Sequence, residues 1–418
     1  FMVKQKSQVG SNGKMLNTGN QTTYYTRAGD FSFDSDGYLV STTGLAVQGW
    51  QVDQDKIDSA SSSGTTLSQT PVTGEIRDIR LDSFSSPAKA TSSVTVITNL
   101  DSDSTSATAR TASNAFFAMS SSWNGTQDPA MASTAYTYQT TIKVYDDNGS
   151  PHTLTVYYDK VSNAGGKEYW EYTVTCDPSE DGRITASGAS LANTAVGGLL
   201  MVGTLTFDAS GSLENMSAYT LKGSNATSGS FAANPNLWTA ATVKNGYPAF
   251  TANFKSVSGA SFTDQPGATL TTLNLGMSNK NGFTINSGSS VADTMNKTTF
   301  DPSSLVGFNP ATLKINSNVT TNYATSSSTV FSSQNGYTAG LLTSFSVDTD
   351  GVLTGTFSNG QTQQLWVLAL ANFTNLEGLS KEGNNLYGAT LESGAGTTNR
   401  ANTGSVGSIS GNTLESSN

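Results

Sequence analysis

The chain is poor in the residues that carry most enzyme chemistry. Cys176 is its only cysteine and His152 its only histidine in 418 residues. No disulfide can therefore close within the chain. A Ser-His-Asp relay would have to run through His152, and no Gly-x-Ser-x-Gly elbow surrounds any serine. Charge is scarce as well: charged residues make up 12% of the sequence, against about 25% in an ordinary soluble domain. No apolar run of about 18 residues is present, which excludes a membrane-crossing helix. No long segment carries the 3.6-residue apolar period with caps at both ends. No signal-peptide pattern opens the chain. Phe1-Met2-Val3 starts it inside an apolar, strand-like run and reads as a cut within a longer protein.

Small polar residues fill the gap, with enough aromatics to build cores: 18 Phe, 15 Tyr and 5 Trp. Such a chain is not disordered by composition. It suits thin cores between sheets of small-residue-rich strands. The net charge of −10 and pI of about 4.6 argue against a phosphate-backbone partner. Few cysteines, low charge and abundant Ser, Thr and Asn fit a surface-exposed bacterial protein rather than a disulfide-stapled one.

Strand patterns recur, bounded by Gly, Asn and Asp. Val94 to Ile97 alternates; Thr141 to Tyr145 and Thr153 to Tyr158 flank Asp147-Asn148-Gly149-Ser150 as a hairpin; Tyr169 to Thr175 continues that sheet. Leu365 to Phe373 reads as a central strand. Asx-Gly pairs are frequent, among them Asn12-Gly13, Asp36-Gly37, Asn148-Gly149, Asn245-Gly246, Asp350-Gly351 and Asn359-Gly360. They predict type I′ hairpin turns and an all-β architecture. A short pattern repeats: Phe31 to Leu39 resembles Phe345 to Leu353, and Phe207 to Leu213 is a weaker copy. Copies at opposite ends of the chain suggest one discontinuous domain with the middle inserted. Ser59 to Gln69 and Thr325 to Ser333 lack an apolar period and read as loops or linkers.

Candidate chemistry does not survive inspection. Two Asp-x-Asp-Gly motifs invite a calcium loop, but counting from Gly37 places Ser32 and Thr43 at loop positions 1 and 12, and counting from Gly351 places Ser346 and Phe357 there. That loop needs an oxygen ligand at the first and a bidentate Glu at the second. The motifs read instead as hairpin turns whose Asp side chains bond local amides. His152 reads as a surface or sheet-edge residue, and Cys176 as a small packed hydrophobe. Gly197-Gly198 lacks a following phosphate-loop Lys. Trp123, Trp238 and Tyr247 offer faces for sugar stacking, but such residues more often complete thin cores. No cofactor or metal site is expected.

Several stretches carry a family resemblance. Tyr25 to Asp34, Asp36 to Val40 and Val47-Gln48-Gly49-Trp50 resemble flagellar hook and rod proteins. Asn335 to Gly340, Gly355 to Gln361, Leu370-Ala371-Asn372-Phe373, Glu377-Gly378-Leu379 and Gly383 to Tyr387 point to the hook proteins among them. Lys89 to Val94 and Val144 to Gly149 are also similar. The match is strong over about 1–100, 140–175 and 335–418, and weak over about 216–310.

The resemblance implies nested β-sandwich or β-barrel-like domains: 1–88 with 335–418 as a discontinuous inner domain, 89–215 with 311–334 as a middle domain, and 216–310 as an outer insertion. It implies terminal helical segments absent here, and so a core fragment that stays monomeric. It implies a structural subunit, not an enzyme, in the extracellular joint between flagellar motor and filament. Its partners would be further copies of itself, the distal rod, hook cap and hook–filament junction proteins, and the flagellar export apparatus. The segment Gln51 to Pro71 is expected to reach an adjacent subunit through Gln51, Asp53, Asp55, Lys56, Ser61, Thr65 and Gln69. The competing reading is a surface adhesin whose β domains bind glycans or proteins.

Overall fold

The computed structural model describes residues 1–9, 15–16, 22–63, 66–81, 84–108, 115–185, 188–222, 237–254, 269–284, 300–404 and 406–411. Contacts divide the chain into two compact units, Phe1–Pro87 with Ala339–Asn418, and Ala88–Thr338. Strands dominate both.

In the first unit, strands from the two ends of the chain interleave in one sheet. Met2–Lys4 lies between Tyr24–Thr26 and Ala46–Val52. Ala46–Val52 pairs in turn with Thr362–Leu368, which pairs with Val352–Phe357, and that with Gly340–Val347. Gly340 and Leu341 then meet Ser86 and Ser85. Val3, Leu39, Val47, Ile79, Leu81, Leu353, Trp366 and Leu368 form the core. Burial of such side chains stabilises by roughly 1.5–3 kcal/mol each. Two buried polar groups interrupt it and satisfy each other: Gln48 Nε2 donates to Asp78 Oδ1 at 2.6 Å, and the Ser7 amide donates to Asp78 Oδ2 at 2.8 Å.

The second unit has three layers. A seven-stranded antiparallel sheet runs in the order Tyr138–Tyr145, Pro151–Ala164, Lys167–Thr175, Leu199–Phe207, Tyr219–Leu221 and Trp238–Ala240, with Leu213–Met216 also on Leu199–Phe207. One face packs on a five-stranded sheet through Val144, Val156, Trp170, Tyr172, Val94, Phe250 and Leu273. The other face carries Tyr169, Val202 and Tyr219 and is covered by Phe116, Phe117, Met119 and Trp123. Because both faces are covered, Lys167–Thr175 is buried over most of its length instead of showing the half-buried alternation of a solvated sheet. The described strands within 216–310 belong to these same two sheets or to small ribbons beside them; Thr271–Asn274, for example, pairs parallel with Ser93–Asn99.

The polar groups that this double burial traps are acids caught by backbone amides. Glu171 accepts from the Met119 and Ser120 amides at 3.1 and 2.7 Å. Asp159 accepts from the Ala107 amide at 2.8 Å and the Thr108 hydroxyl at 2.7 Å. Asp181 takes Arg183 in a two-pronged pair, at 2.8 and 2.6 Å, together with the Gly198 amide at 2.8 Å. Buried charge is tolerable only when bonded in this way.

The repeated Asp–Gly pattern has four copies with one geometry. In each, an Asp carboxylate accepts the amides two and four residues on: Asp34 from Asp36 and Tyr38, Asp146 from Asn148 and Ser150, Asp208 from Ser210 and Ser212, Asp348 from Asp350 and Val352. Gly37, Gly149, Gly211 and Gly351 follow three residues after the Asp with φ of 82°, 81°, 80° and 77°. The expected two-residue type I′ turn is therefore corrected here to a three-residue loop with one left-handed glycine. The Asp side chain does the work that a second positive φ would do in a type I′ turn. Among the described Asx-Gly pairs, Asn245-Gly246 alone has both φ values positive, 55° and 88°. Asn12-Gly13 lies outside the described residues.

Candidate functional site

The segment expected to reach a neighbouring subunit begins in a strand and turns into a helix. Gln51 lies inside Ala46–Val52, paired with Thr73 on one side and Trp366 on the other, and its Oε1 accepts from Arg77 Nη2. Residues Gln54–Ser63 are α-helical, which corrects the expectation of a loop over Ser59 to Gln69 in its first part, while residues 66–69 carry neither helix nor strand. Two local features explain the helix. Asp53 Oδ1 accepts the Lys56 amide at 3.2 Å, three residues on, as an N-cap does. Ile57 packs toward Val52, Val352 and Val367, and Ala60 is buried one turn later. A two-residue apolar stripe among serines is too sparse to register as a helical period.

The predicted contact residues therefore divide. Asp53 caps the helix and pairs with Lys56 at 3.1 Å. Asp55 and Lys56 are exposed on the first turn, and Gln69 is exposed on the return to Pro71. Ser61 is helical. Thr65 lies outside the described residues.

The residues singled out for chemistry sit in structural roles. His152 is not the surface residue expected: its side chain is 10% exposed, because Phe254 covers the ring. The ring stacks on Phe254 at 3.8 Å, and its Nδ1 and Nε2 lie 3.0 Å from Glu180 and 3.4 Å from Asp146. Cys176 is buried in the first core of its unit, and burial holds its thiol well above the usual range. Trp123 and Trp238 are buried in the second core, and Tyr247 Oη accepts from Asn316 Nδ2 at 3.2 Å. Asp34 and Asp348 spend their carboxylates on turn amides. Among the described residues no group of three His, Cys, Asp or Glu side chains is arranged to hold a metal.

Sequence reading missed the exposed apolar side chains. Leu376, 64% exposed, and Leu391, fully exposed, stand on two loops of the first unit; Ile315, 53% exposed, stands on the second. The two leucine loops are tied together, with Asn375 donating its amide to Ser393 O at 3.4 Å and its Nδ2 to Glu392 O at 3.3 Å. Isolated leucines in polar loops leave no periodic signal.

Comparison with known proteins places the sequence in a family. Residues 118–337 match the family described as flagellar basal body protein FlaE D2 domain, and residues 15–97 match the flagellar hook protein FlgE/F/G D1 domain. The flagellar hook protein FlgE of Treponema pallidum is 28% identical over 98% of this chain and 71% of its own length. That of Escherichia coli is 45% identical over 89 residues, 21% of this chain and 22% of the relative. That of Helicobacter pylori strain 26695 is 54% identical over 85 residues, 20% of this chain and 12% of the relative. The chain thus matches well under two thirds of the length of these last two. A solved structure, Helicobacter pylori flagellar hook protein FlgE2, aligns over 93% of this chain and 92% of its own at 12% identity, with a TM-score of 0.41. With one family covering more than half of it and that family's companion domain preceding it, the chain belongs to the flagellar hook proteins.

Proposed function

We propose that the chain is the β-rich body of a flagellar hook subunit, and that copies of it stack helically into the flexible tube that joins motor to filament outside the cell. The observation that carries this reading is the family match over residues 118–337, with the D1 match over 15–97 ahead of it. The function is mechanical rather than enzymatic. A joint that bends while it turns must exchange contacts between subunits cheaply. A surface rich in Ser, Thr, Asn and Gly with 12% charged residues offers many weak, water-exchangeable hydrogen bonds and few strong ion pairs.

In this reading the partners are further copies of the subunit, the distal rod, hook cap and hook–filament junction proteins, and the export apparatus. Its nested plan puts the discontinuous unit nearest the tube axis. The helix Gln54–Ser63, with Asp55 and Lys56 exposed on its first turn and Gln69 beyond it, reaches an adjacent subunit. Nothing favours the adhesin reading. Deleting the gene in its host tests the proposal: mutant cells should carry basal bodies without hooks and should not swim, as seen by electron microscopy and on soft agar. Normal hooks in the deletion strain would overturn it.

A further inference from the structure

Charge is unevenly divided along this acidic chain. Residues 209–338 hold six lysines against four acidic residues, a net of +2, while the remainder carries −12. Three of those lysines gather on one side of the second unit. Lys244 adjoins the Asn245-Gly246 turn, and the Gly246 carbonyl accepts the Asn279 amide at 2.7 Å. Lys280 follows Asn279, and Lys314 lies opposite Ser278 in the ribbon of Met277–Asn279 with Leu313–Ile315. All three are exposed and none makes an ion pair with a described residue. Ile315 stands exposed beside Lys314.

The first unit carries carboxylates beside exposed apolar side chains. The tied loops that present Leu376 and Leu391 place an exposed glutamate next to each, Glu377 and Glu392. Neither glutamate pairs with a described cation. One surface thus sets ammonium groups beside an exposed isoleucine, the other carboxylates beside two exposed leucines, and the two lie on different units of the same chain. An open helical assembly needs that arrangement. Its contacts are heterologous, joining one patch to a different patch on the next copy, whereas a closed dimer would match a patch to itself.

We propose that the lysine-bordered face at Lys244, Lys280, Lys314 and Ile315 of one copy docks on the Leu376–Leu391 loops of a second copy, with Glu377 and Glu392 facing the lysines. This rests on the tubular assembly proposed above. The apolar side chains leave water at the centre of the contact, and the exposed charges set register and partner choice while remaining sensitive to salt.

The test uses hooks sheared from cells. A carbodiimide that joins amines only to carboxylates in contact should yield cross-links between subunits from Lys314 or Lys280 to Glu377 or Glu392, read by mass spectrometry. Reversing the three lysines (K244E, K280E, K314E) in the full-length hook subunit should raise the concentration needed for its polymerisation about tenfold. Adding E377K and E392K to that variant should restore most of the loss. Thermal unfolding of each variant separates assembly defects from folding defects. Hooks that form but give no such cross-link, or a lysine reversal that the glutamate reversal does not rescue, overturn this contact and leave the hook assignment standing. Absence of hooks altogether counts against the assignment itself.

Discussion

The buried Glu171 carboxylate receives the Ser120 amide at 2.7 Å and the Ser120 hydroxyl at 2.5 Å. This one acid anchors the covering segment that closes the second face of the seven-stranded sheet. Glu171→Ala should leave the Met119 and Ser120 amides without an acceptor and cost about 3 kcal/mol. Glu171→Gln keeps one oxygen and should cost about 1 kcal/mol. Urea unfolding of the three proteins measures the difference; equal midpoints would contradict the role.

The left-handed glycines should differ in tolerance although their φ values agree. A Cβ at Gly211 would lie 2.3 Å from the Asn322 carbonyl oxygen, whereas one at Gly360, with φ of 78°, would meet nothing within 4 Å. Gly360→Ala should cost about 1 kcal/mol for the backbone conformation alone. Gly211→Ala adds a clash with main chain and should lower the melting temperature clearly further. The same melting shift for both would show that the loop at Gly211 is free to move.

The turn aspartates should make the fold acid-sensitive. The Ser210 hydroxyl and the amides of Ser212 and Ser210 hold the Asp208 carboxyl below its ordinary value of 3.8. For Asp34, partial burial acts to raise it, but the Lys6 ammonium and the Tyr38 and Asp36 amides outweigh burial and lower it. A carboxylate depressed in the folded state stabilises fully above its unfolded value and loses that contribution as pH falls through the folded one. Stability should therefore be flat near neutrality and decline below about pH 4. Asp34→Asn and Asp208→Asn should each be less stable at pH 7 and show a shallower decline in acid, measured as melting temperature against pH.

Cys176 should be silent in the native protein. Desolvation by burial raises its thiol well above the ordinary value of 9.0, and the side chain packs among core residues. An aromatic disulfide reagent at pH 8 should react at the rate of unfolding, and stoichiometrically in denaturant. Rapid labelling of the folded chain would show that this core opens locally.

The proposed contact helix gives a test that separates assembly from folding. Asp55→Lys reverses the charge of an exposed first-turn side chain and leaves the Asp53–Lys56 pair, Ile57 and Ala60 in place. Melting should change by no more than about 0.5 kcal/mol in stability, while hook curvature or swimming should change. Unaltered hooks would remove this helix from the contact.

Much of the architecture was legible because its signals are local. Asp-x-x-Gly turns and alternating strands such as Thr153 to Tyr158 announce themselves in a few residues, and the matched turns at Asp34 and Asp348 hinted that distant segments belong together. The helix at Gln54–Ser63 was hidden because its sequence holds only two apolar residues, Ile57 and Ala60. The surroundings of His152 were hidden because Glu180 and Phe254 reach it from 28 and 102 residues away. The exposed leucines and lysines became a surface only when folding gathered them, since nothing in their spacing marks a shared face.

The pairing of Gly340 and Leu341 with Ser86 and Ser85 has a mechanical meaning. The strand leaving the first unit and the strand returning to it are bonded to each other there. Tension applied between the two ends of the chain is borne by the interleaved sheet, in which both ends are held. The inserted unit of residues 88–338 lies outside that load path until the pairing shears. Pulling on the chain ends therefore does not unravel the inserted unit first.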